Sequence, residues 1–423
     1  MMMRTMLTAL IVGLVGSACG WVGFAWDSTT YFGPLSRQEL YGPETRGLAP
    51  LWSPDGNHVA VIIKREHNVW HGYSVPTSGG VLHRLSAATP ESMHGSLTMS
   101  AGGRLAYVDY WYEPRQGFVR QGTGPHHATI VTTNFDATDR VELEVPSASY
   151  VYALAWWPGP DLLIARVFSE QDREINGLYT VGADGKLARF DGPGLGDASL
   201  RYVRFPVFSP NGEHIAYLQY EHESRPPGPQ RRAVIERVDG LGSPVQAPFA
   251  KSPLDTSAIA WAPDGQSVLF ATMKQPEGEH HCGDETDTTI WRLSVDGSEI
   301  EPVAELPSTG GVYSVLPSPR GDHILFLHPC GEGLNVLTEG EVHTLPTVCC
   351  VHKRHFAASW SPDGTRIAVV DQRQDKQQRI PALQVMNPDG SQVTTLIYRE
   401  TDGSLTPGLE QSKIIKENHA ETN

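Results

Sequence analysis

Helical periodicity is missing from this chain: no stretch sustains apolar residues at a 3.6-residue spacing. Charge is sparse, at 19% of 423 residues, and cysteine numbers only five. Beyond the N-terminus no run approaches the roughly 18 apolar residues needed to cross a bilayer. The chain has no G-x-x-x-x-G-K-[ST] phosphate loop, no G-x-G-x-x-G dinucleotide fingerprint and no H-E-x-x-H zinc motif. It also lacks a G-x-S-x-G nucleophile elbow. These absences remove the helical classes and the familiar nucleotide, dinucleotide and hydrolase signatures. What is abundant is punctuation, with 42 Gly and 32 Pro, as many short strands joined by turns require.

A short phrase returns seven times. Trp52-Ser53-Pro54-Asp55-Gly56 precedes Val59-Ala60, and Phe208-Ser209-Pro210-Asn211-Gly212 precedes Ile215-Ala216. Trp261-Ala262-Pro263-Asp264-Gly265 precedes Val268-Leu269, and Trp360-Ser361-Pro362-Asp363-Gly364 precedes Ile367-Ala368. Degraded copies begin at Trp157 and Pro317, and a shorter one at Met99. The average step is about 51 residues, which suits one four-stranded propeller blade per repeat. Each phrase reads as a β-turn: Pro sets φ, Asp or Asn suits the next position, and Gly fills the one where a side chain clashes. Apolar runs such as Ala258–Trp261 and Ser267–Phe270 flank the turns and suit strands buried on both faces. A second turn, at Asp184-Gly185, Asp296-Gly297 and Asp389-Gly390, reads as the outer hairpin of a blade. The fold expected is all-β, a seven-bladed β-propeller of four-stranded antiparallel blades. The phrase residues are read as structural, with the Trp and Phe rings wedged between blades.

The phrase W-S-P-D-G-x-x-[IVL]-[AL] resembles the repeat of TolB-like β-propellers, over residues 48–398. The resemblance implies the fold; it does not imply an activity, since one fold hosts many functions. TolB itself carries an α/β domain ahead of its propeller, and the roughly 30 residues available here are too few for one. The missing elbow also argues against the hydrolase domain that follows some propellers in peptidases. The last repeat reads as four strands near 356–360, 365–371, 381–387 and 391–398, supplying its own outer strand. Residues 30–48 are then an edge cover, a closing strand or a plug. Residues 399–423 read as a mobile polar tail.

Arg4, an apolar run from Met6 to Val15, and Gly16-Ser17-Ala18 describe a secretory signal peptide over residues 1–18. Gly16-Ser17-Ala18-Cys19 also resembles a bacterial lipobox, apart from Gly16 where a branched residue is usual. That reading makes Cys19 the lipidated first residue, with 19–47 a linker or edge segment. An ordinary signal peptide, or an uncleaved anchor running through Phe24, stays open. The expected place is the periplasm or outer cell envelope, with membrane contact only through this N-terminal lipid or anchor. The net charge is −15, and loss of Arg4 with residues 1–18 makes it −16. Such a surface repels nucleic acid and anionic headgroups.

In a four-stranded meander, the loops after second strands share an end with the blade-to-blade connections. These loops vary in length, and we take that face as the binding face. Cys282 and Cys330 fall in equivalent loops of blades five and six, and Cys349 and Cys350 in the connection from blade six to seven. In an exported protein four cysteines suggest disulfides. Cys282–Cys330 with a Cys349–Cys350 bond is the preferred arrangement, and crossed pairings stay open. His280, His281, His328, His352 and His355 crowd the same loops beside Asp284 and Glu285. Imidazole, thiolate and carboxylate can hold a divalent metal, with His281, His328 and His352 as candidate ligands. The blander reading is a disulfide-stapled cluster with solvated histidines and no cofactor. Asp109, Trp111, Tyr112 and Arg115 suit sugar or peptide contact, and Glu221, His222 and Glu223 are a weaker acid–base set.

Two functions emerge. One is a monomeric, non-catalytic envelope propeller that binds a protein or cell-wall ligand. The other is a metal-dependent carbohydrate-active enzyme, because oligogalacturonate lyases are propellers similar to the TolB type and use histidines around a divalent metal.

Overall fold

The computed structural model describes residues 49–408 except 65–69, 86–91, 112–126, 146–148, 159–161, 170–171, 176, 183–185, 191–202, 221–230, 249–253, 275–286, 307–311, 313, 328–333, 346–355 and 372–376. Blade 1 is β1 (Leu51–Trp52), β2 (His58–Lys64), β3 (Trp70–Pro76) and β4 (His83–Arg84). Blade 2 is β5 (Ser92–Met99), β6 (Leu105–Trp111), β7 (His127–Thr133) and β8 (Val141–Glu144). Blade 3 is β9 (Ser149–Trp157), β10 (Leu162–Ser169), β11 (Gly177–Val181) and β12 (Leu187–Arg189). Blade 4 is β13 (Val203–Phe208), β14 (His214–Tyr220), β15 (Arg231–Arg237) and β16 (Val245–Gln246). Blade 5 is β17 (Leu254–Trp261), β18 (Ser267–Lys274), β19 (Thr288–Ser294) and β20 (Ile300–Leu306). Blade 6 is β21 (Ser314–Pro317), β22 (His323–Leu327), β23 (Leu334–Thr338) and β24 (Glu341–Thr344). Blade 7 is β25 (Phe356–Trp360), β26 (Ile367–Asp371), β27 (Ile380–Met386) and β28 (Thr394–Arg399), joined by β29 (Leu405–Pro407). Every blade is an antiparallel meander, so the expected seven-bladed propeller is the observed fold.

The apolar interior is divided into seven clusters, and each lies between two successive blades. This follows from the period-2 alternation of a strand. On β2, Val59, Val61 and Ile63 face blade 7, whereas Ala60 and Ile62 face blade 2. Second strands must therefore be apolar on both faces, as their nearly continuous Val/Ile/Leu/Ala runs are. Outer strands carry the solvent boundary, and all four residues of β24 are exposed.

The repeated phrase is a turn with a fixed internal wiring. In blade 1, Gly56 N donates to Ser53 O (2.8 Å) and Ser53 N to His58 O (2.9 Å). Asp55 Oδ1 accepts from Ser53 Oγ (2.5 Å) and from Asn57 N (3.0 Å), and Ser53 Oγ accepts from His58 N (2.8 Å). Blade 7 repeats this with Ser361, Asp363, Thr365 N and Arg366 N, and blade 4 with Ser209, Asn211, Glu213 N and His214 N. Gly56 has φ +71°, a region that costs an L side chain energy, so the turn needs Gly there. The proline has a further role. A Cβ on Gly103 would come within 3.0 Å of Pro54 Cδ, and one on Gly265 within 3.4 Å of Pro210 Cδ. The turns of blades 2 and 5 thus abut their predecessors around the ring.

Trp52, Trp261 and Trp360 lie in the clusters between blades, by a rule that the structure makes explicit. Trp261 Nε1 donates to Val207 O (2.7 Å) and Trp360 Nε1 to Leu316 O (2.9 Å), each reaching the first strand of the preceding blade. The residue that opens the preceding blade's second strand packs on the same indole: His214 on Trp261, and His323 stacked on Trp360 at 5.9 Å. Blade 3 departs from the rule, because Trp157 reaches forward to Gly212 O (2.7 Å) and stacks on Phe208.

Ring closure uses the same device. Trp52 Nε1 donates to Ser359 O (3.4 Å), Ser359 Oγ donates to Pro50 O (2.5 Å), and the Arg366 guanidinium lies 5.0 Å from the Trp52 ring centre. Blades 1 and 7 are each built from consecutive strands, so among the described residues no strand is exchanged to close the ring. Residues 1–48, including the proposed signal peptide, Cys19 and the 30–48 segment, lie outside the described residues.

The C-terminal boundary needs correction. Residues 399–408 belong to blade 7, because β29 pairs with β28 through Tyr398↔Thr406 and Arg399↔Leu405. A further Asp-Gly turn makes this hairpin, with Gly403 N on Glu400 O (2.9 Å) and Ser404 N on Asp402 Oδ1 (2.8 Å). Polar side chains hold it: Arg379 pairs with Glu400 (2.9 Å), donates to Thr406 Oγ1 (3.0 Å) and covers the Tyr398 ring. Its low apolar content hid it from a pattern search. Residues 409–423 lie outside the described residues.

Candidate functional site

The meander gives the ring two unlike ends. Turns between first and second strands and between third and fourth strands gather at one end. They are short, and the described ones close with internal hydrogen bonds, as in Gly297 N to Ser294 O (3.0 Å) and Gly390 N to Asn387 O (2.9 Å). Connections between second and third strands, and from blade to blade, leave from the other end. Their lengths differ widely: β2 and β3 are separated by residues 65–69, β6 and β7 by 112–126, and β18 and β19 by 275–287. This end is the candidate site.

The strand ends beneath it are rigidly built. In blade 1, buried His71 on β3 lies 3.2 Å from Arg84 Nη2 through Nδ1. In blade 2, the Tyr110 hydroxyl donates to Val151 O (2.6 Å) and accepts from Val151 N (3.2 Å), bonding blade 2 to the first strand of blade 3. Blade 3 adds a 3₁₀ turn, Arg173–Ile175, with Asp172 N on Ser169 Oγ (3.1 Å) and Tyr179 OH on Ile175 O (2.8 Å). In blade 5, Trp291 Nε1 donates to Thr272 Oγ1 (2.9 Å), and in blade 6 Thr344 Oγ1 donates to Asn335 Oδ1 (2.8 Å). A scaffold of this kind fixes where each loop starts and ends.

The sequence candidates sort unevenly on this frame. Cys282, Cys330, Cys349, Cys350, His280, His281, His328, His352, His355, Asp284 and Glu285 lie outside the described residues, as do Tyr112, Arg115, Glu221, His222 and Glu223. Among the described residues, no group of three or more His, Cys, Asp or Glu side chains is placed to hold a metal. Asp109 is within β6, with Oδ2 3.9 Å from Arg140 Nη2. Arg140 also bonds Leu85 O (2.7 Å), Glu142 (2.6 Å) and the Tyr107 hydroxyl. Tyr107 OH donates to Leu85 O (2.5 Å), and burial pushes the phenol upward. The network holds blade 2 to blade 1, so Asp109 has a structural role. Among the described residues, no helix is long and apolar enough to cross a membrane.

Pro54, Asp55, Gly56, Pro210, Gly212, Pro263, Asp264, Gly265, Pro362, Asp363 and Gly364 all sit in the closed turns at the opposite end. The serine at the second position of the phrase ties the turn through its hydroxyl. Its recurrence at 53, 209, 318 and 361 was the available signal. Donation by the Ser53 hydroxyl, then by Asn57, holds the Asp55 carboxyl at about 2; Ser361 and Thr365 do the same for Asp363, also at about 2.

A carboxylate depressed in the folded state contributes stability above its unfolded pKa of about 3.9 and loses it as pH falls through the folded value. The melting temperature is therefore expected to hold from neutral pH to about pH 5 and fall toward pH 2. Asp363→Asn should sit below the parent at pH 7 and converge with it near pH 2. A gap that widens in acid would contradict the assignment.

No family model matches the chain. Dipeptidyl-peptidase 5 of Porphyromonas gingivalis is 22% identical over 111 residues, 26% of this chain and 14% of that protein's length. Among solved structures, a puromycin-hydrolysing peptidase of Mycobacterium tuberculosis aligns at a TM-score of 0.52 and 17% identity, over 87% of this chain and 55% of that one. An oligogalacturonate lyase in complex with manganese aligns at 0.51 and 14% identity, over 79% and 87%. TolB of Acinetobacter baumannii aligns at 0.41 and 13% identity, over 79% and 62%, a likeness that carries no argument. At these identities the alignments establish the propeller and nothing finer.

Proposed function

We propose that this chain is an exported, monomeric binding propeller that holds a protein or cell-envelope ligand on its loop-bearing end and performs no chemistry there. The observation that carries this reading is the inequality of the two ends. One end is spent on turns whose donors and acceptors satisfy each other, and the other receives nearly all the variation in length. Rigid scaffolds place recognition in such loops. The net charge of −15 argues against nucleic acid and anionic lipid as the ligand and leaves proteins and uncharged or cationic wall components. The N-terminal signal, with Cys19 as a lipid attachment point, supports the envelope as the place of action.

A metal-dependent carbohydrate-active enzyme is the second reading. The observation that favours it is the recurrence of histidine, at 280, 281, 328, 352 and 355, in connections of blades 5 to 7.

The test replaces residues 275–287 with a two-residue Asn-Gly hairpin turn, leaving β18 and β19 intact. The expected result is loss of capture of the ligand that the intact chain retains from envelope extracts, with an unchanged urea midpoint. Turnover of oligogalacturonate by the intact chain with added manganese is expected to be nil. Turnover that chelator abolishes would overturn the binding reading in favour of the enzyme.

A further inference from the structure

Among the four intact copies of the phrase, Asn211 is the odd member. Asp55, Asp264 and Asp363 fill the equivalent position in blades 1, 5 and 7, where the site asks for acceptors. In blade 1 both carboxylate oxygens are used, with Asn57 Nδ2 donating to Oδ2 at 2.9 Å, and in blade 7 Thr365 Oγ1 donates to Oδ2 at 2.8 Å. In blade 4, Asn211 Oδ1 takes the same two donors as its counterparts, Ser209 Oγ at 2.6 Å and Glu213 N at 3.1 Å. Its second terminal atom is an NH₂ group, where the sister turns present an oxygen. Asn211 is exposed, and the residue after it is Gly212, with φ +73°.

We propose that Asn211 is a site of hydrolytic modification, an amide in a carboxylate-shaped position that converts to aspartate without loss of the turn. The chemistry is that of an Asn-Gly pair, whose following amide nitrogen is not shielded by a side chain. Gly212 N attacks Asn211 Cγ, a C–N bond forms, the Cγ–Nδ2 bond breaks and ammonia leaves, giving a cyclic imide. Water then opens the imide. Cleavage at Cγ gives aspartate, and cleavage at the main-chain carbonyl gives isoaspartate, which adds a methylene to the backbone. The net change is one amide plus water to one carboxylate plus ammonium. The product aspartate finds the Ser209 and Glu213 donors already in place, as Asp55 and Asp363 do. Isoaspartate displaces Gly212, whose carbonyl accepts from Trp157 Nε1 at 2.7 Å across the junction with blade 3.

The closed turn also controls the rate. Gly212 N is donated to Ser209 O at 2.8 Å, so the attacking nitrogen is engaged until the turn opens. Conversion is therefore a record of local opening in blade 4.

The experiment incubates the full chain, and separately a synthetic peptide spanning 205–216, at pH 8 and 37 °C, and follows both products by peptide mapping and isoaspartyl methyltransferase labelling. The expected result is conversion at Asn211 in both, at least tenfold slower in the folded chain, with Ser209→Ala narrowing that gap. Asn211→Asp is expected to melt no lower than the parent at pH 7. Equal rates in chain and peptide, no conversion in the peptide, or a lower melting temperature for Asn211→Asp would each overturn the proposal.

Discussion

Trp52→Ala is expected to lower the free energy of unfolding by about 3–5 kcal/mol, the range for deleting a buried aromatic side chain. Trp52 is 3% exposed and belongs to the cluster that joins β1–β3 to β25–β28. Because no described strand crosses that junction, the indole carries much of the closure seen there, through its packing, its bond to Ser359 O and its contact with Arg366. Removing it leaves a cavity at the seam where first and last blades meet, and the Arg366 guanidinium loses its ring. Trp52→Phe keeps an aromatic face and gives up the Nε1 donor, so a smaller loss of about 1 kcal/mol is expected. Urea unfolding with an unchanged m-value measures both. A cost for Trp52→Ala no greater than that of Trp52→Phe would show that the ring closes by other means.

Phe326→Ala should cost a similar amount, about 3–5 kcal/mol, for a different reason. The junction between blades 5 and 6 has Pro317 at the position where blades 1, 5 and 7 place tryptophan. Its described core is apolar, with Leu269, Ala271, Ile290 and Leu306 from blade 5 against Val312, Val315, Ile324 and Leu337 from blade 6. Fully buried Phe326 is the one aromatic side chain in that described cluster. Phe326→Leu, which keeps most of the volume, should cost less than half as much. Loss of under about 1 kcal/mol for Phe326→Ala would mean that the junction collapses around the gap or is held mainly elsewhere.

Much of the fold was legible because the phrase and its downstream apolar pair are cross-strand partners. Trp52 pairs with Val59 and Trp360 with Ile367, so a fixed sequence spacing is a fixed register. Strand limits in the last blade were expected near 356–360, 365–371, 381–387 and 391–398, and they lie at 356–360, 367–371, 380–386 and 394–399. What escaped was carried by polar atoms. The serine hydroxyls, the Arg379–Glu400–Thr406 clamp on β29, and the tyrosine hydroxyls bridging blades 1, 2 and 3 leave no apolar pattern. The mismatch of Trp157 was hidden too, since a degraded phrase does not reveal that its indole turns toward the next blade. For the site, topology named the end from which loops leave, whereas ligand chemistry depends on side chains within those loops, where strand periodicity says nothing.

Photo-crosslinking from the two ends of the ring tests the central claim most directly. A photoreactive residue is placed singly at Asp172 or Gln378 on the loop-bearing end and at Asn57 or Thr365 on the turn end, all four exposed. The full chain is then irradiated in whole cells. The account predicts one discrete adduct from Asp172 and Gln378 and none from Asn57 and Thr365. Adducts from the turn end with none from the loop end would contradict it.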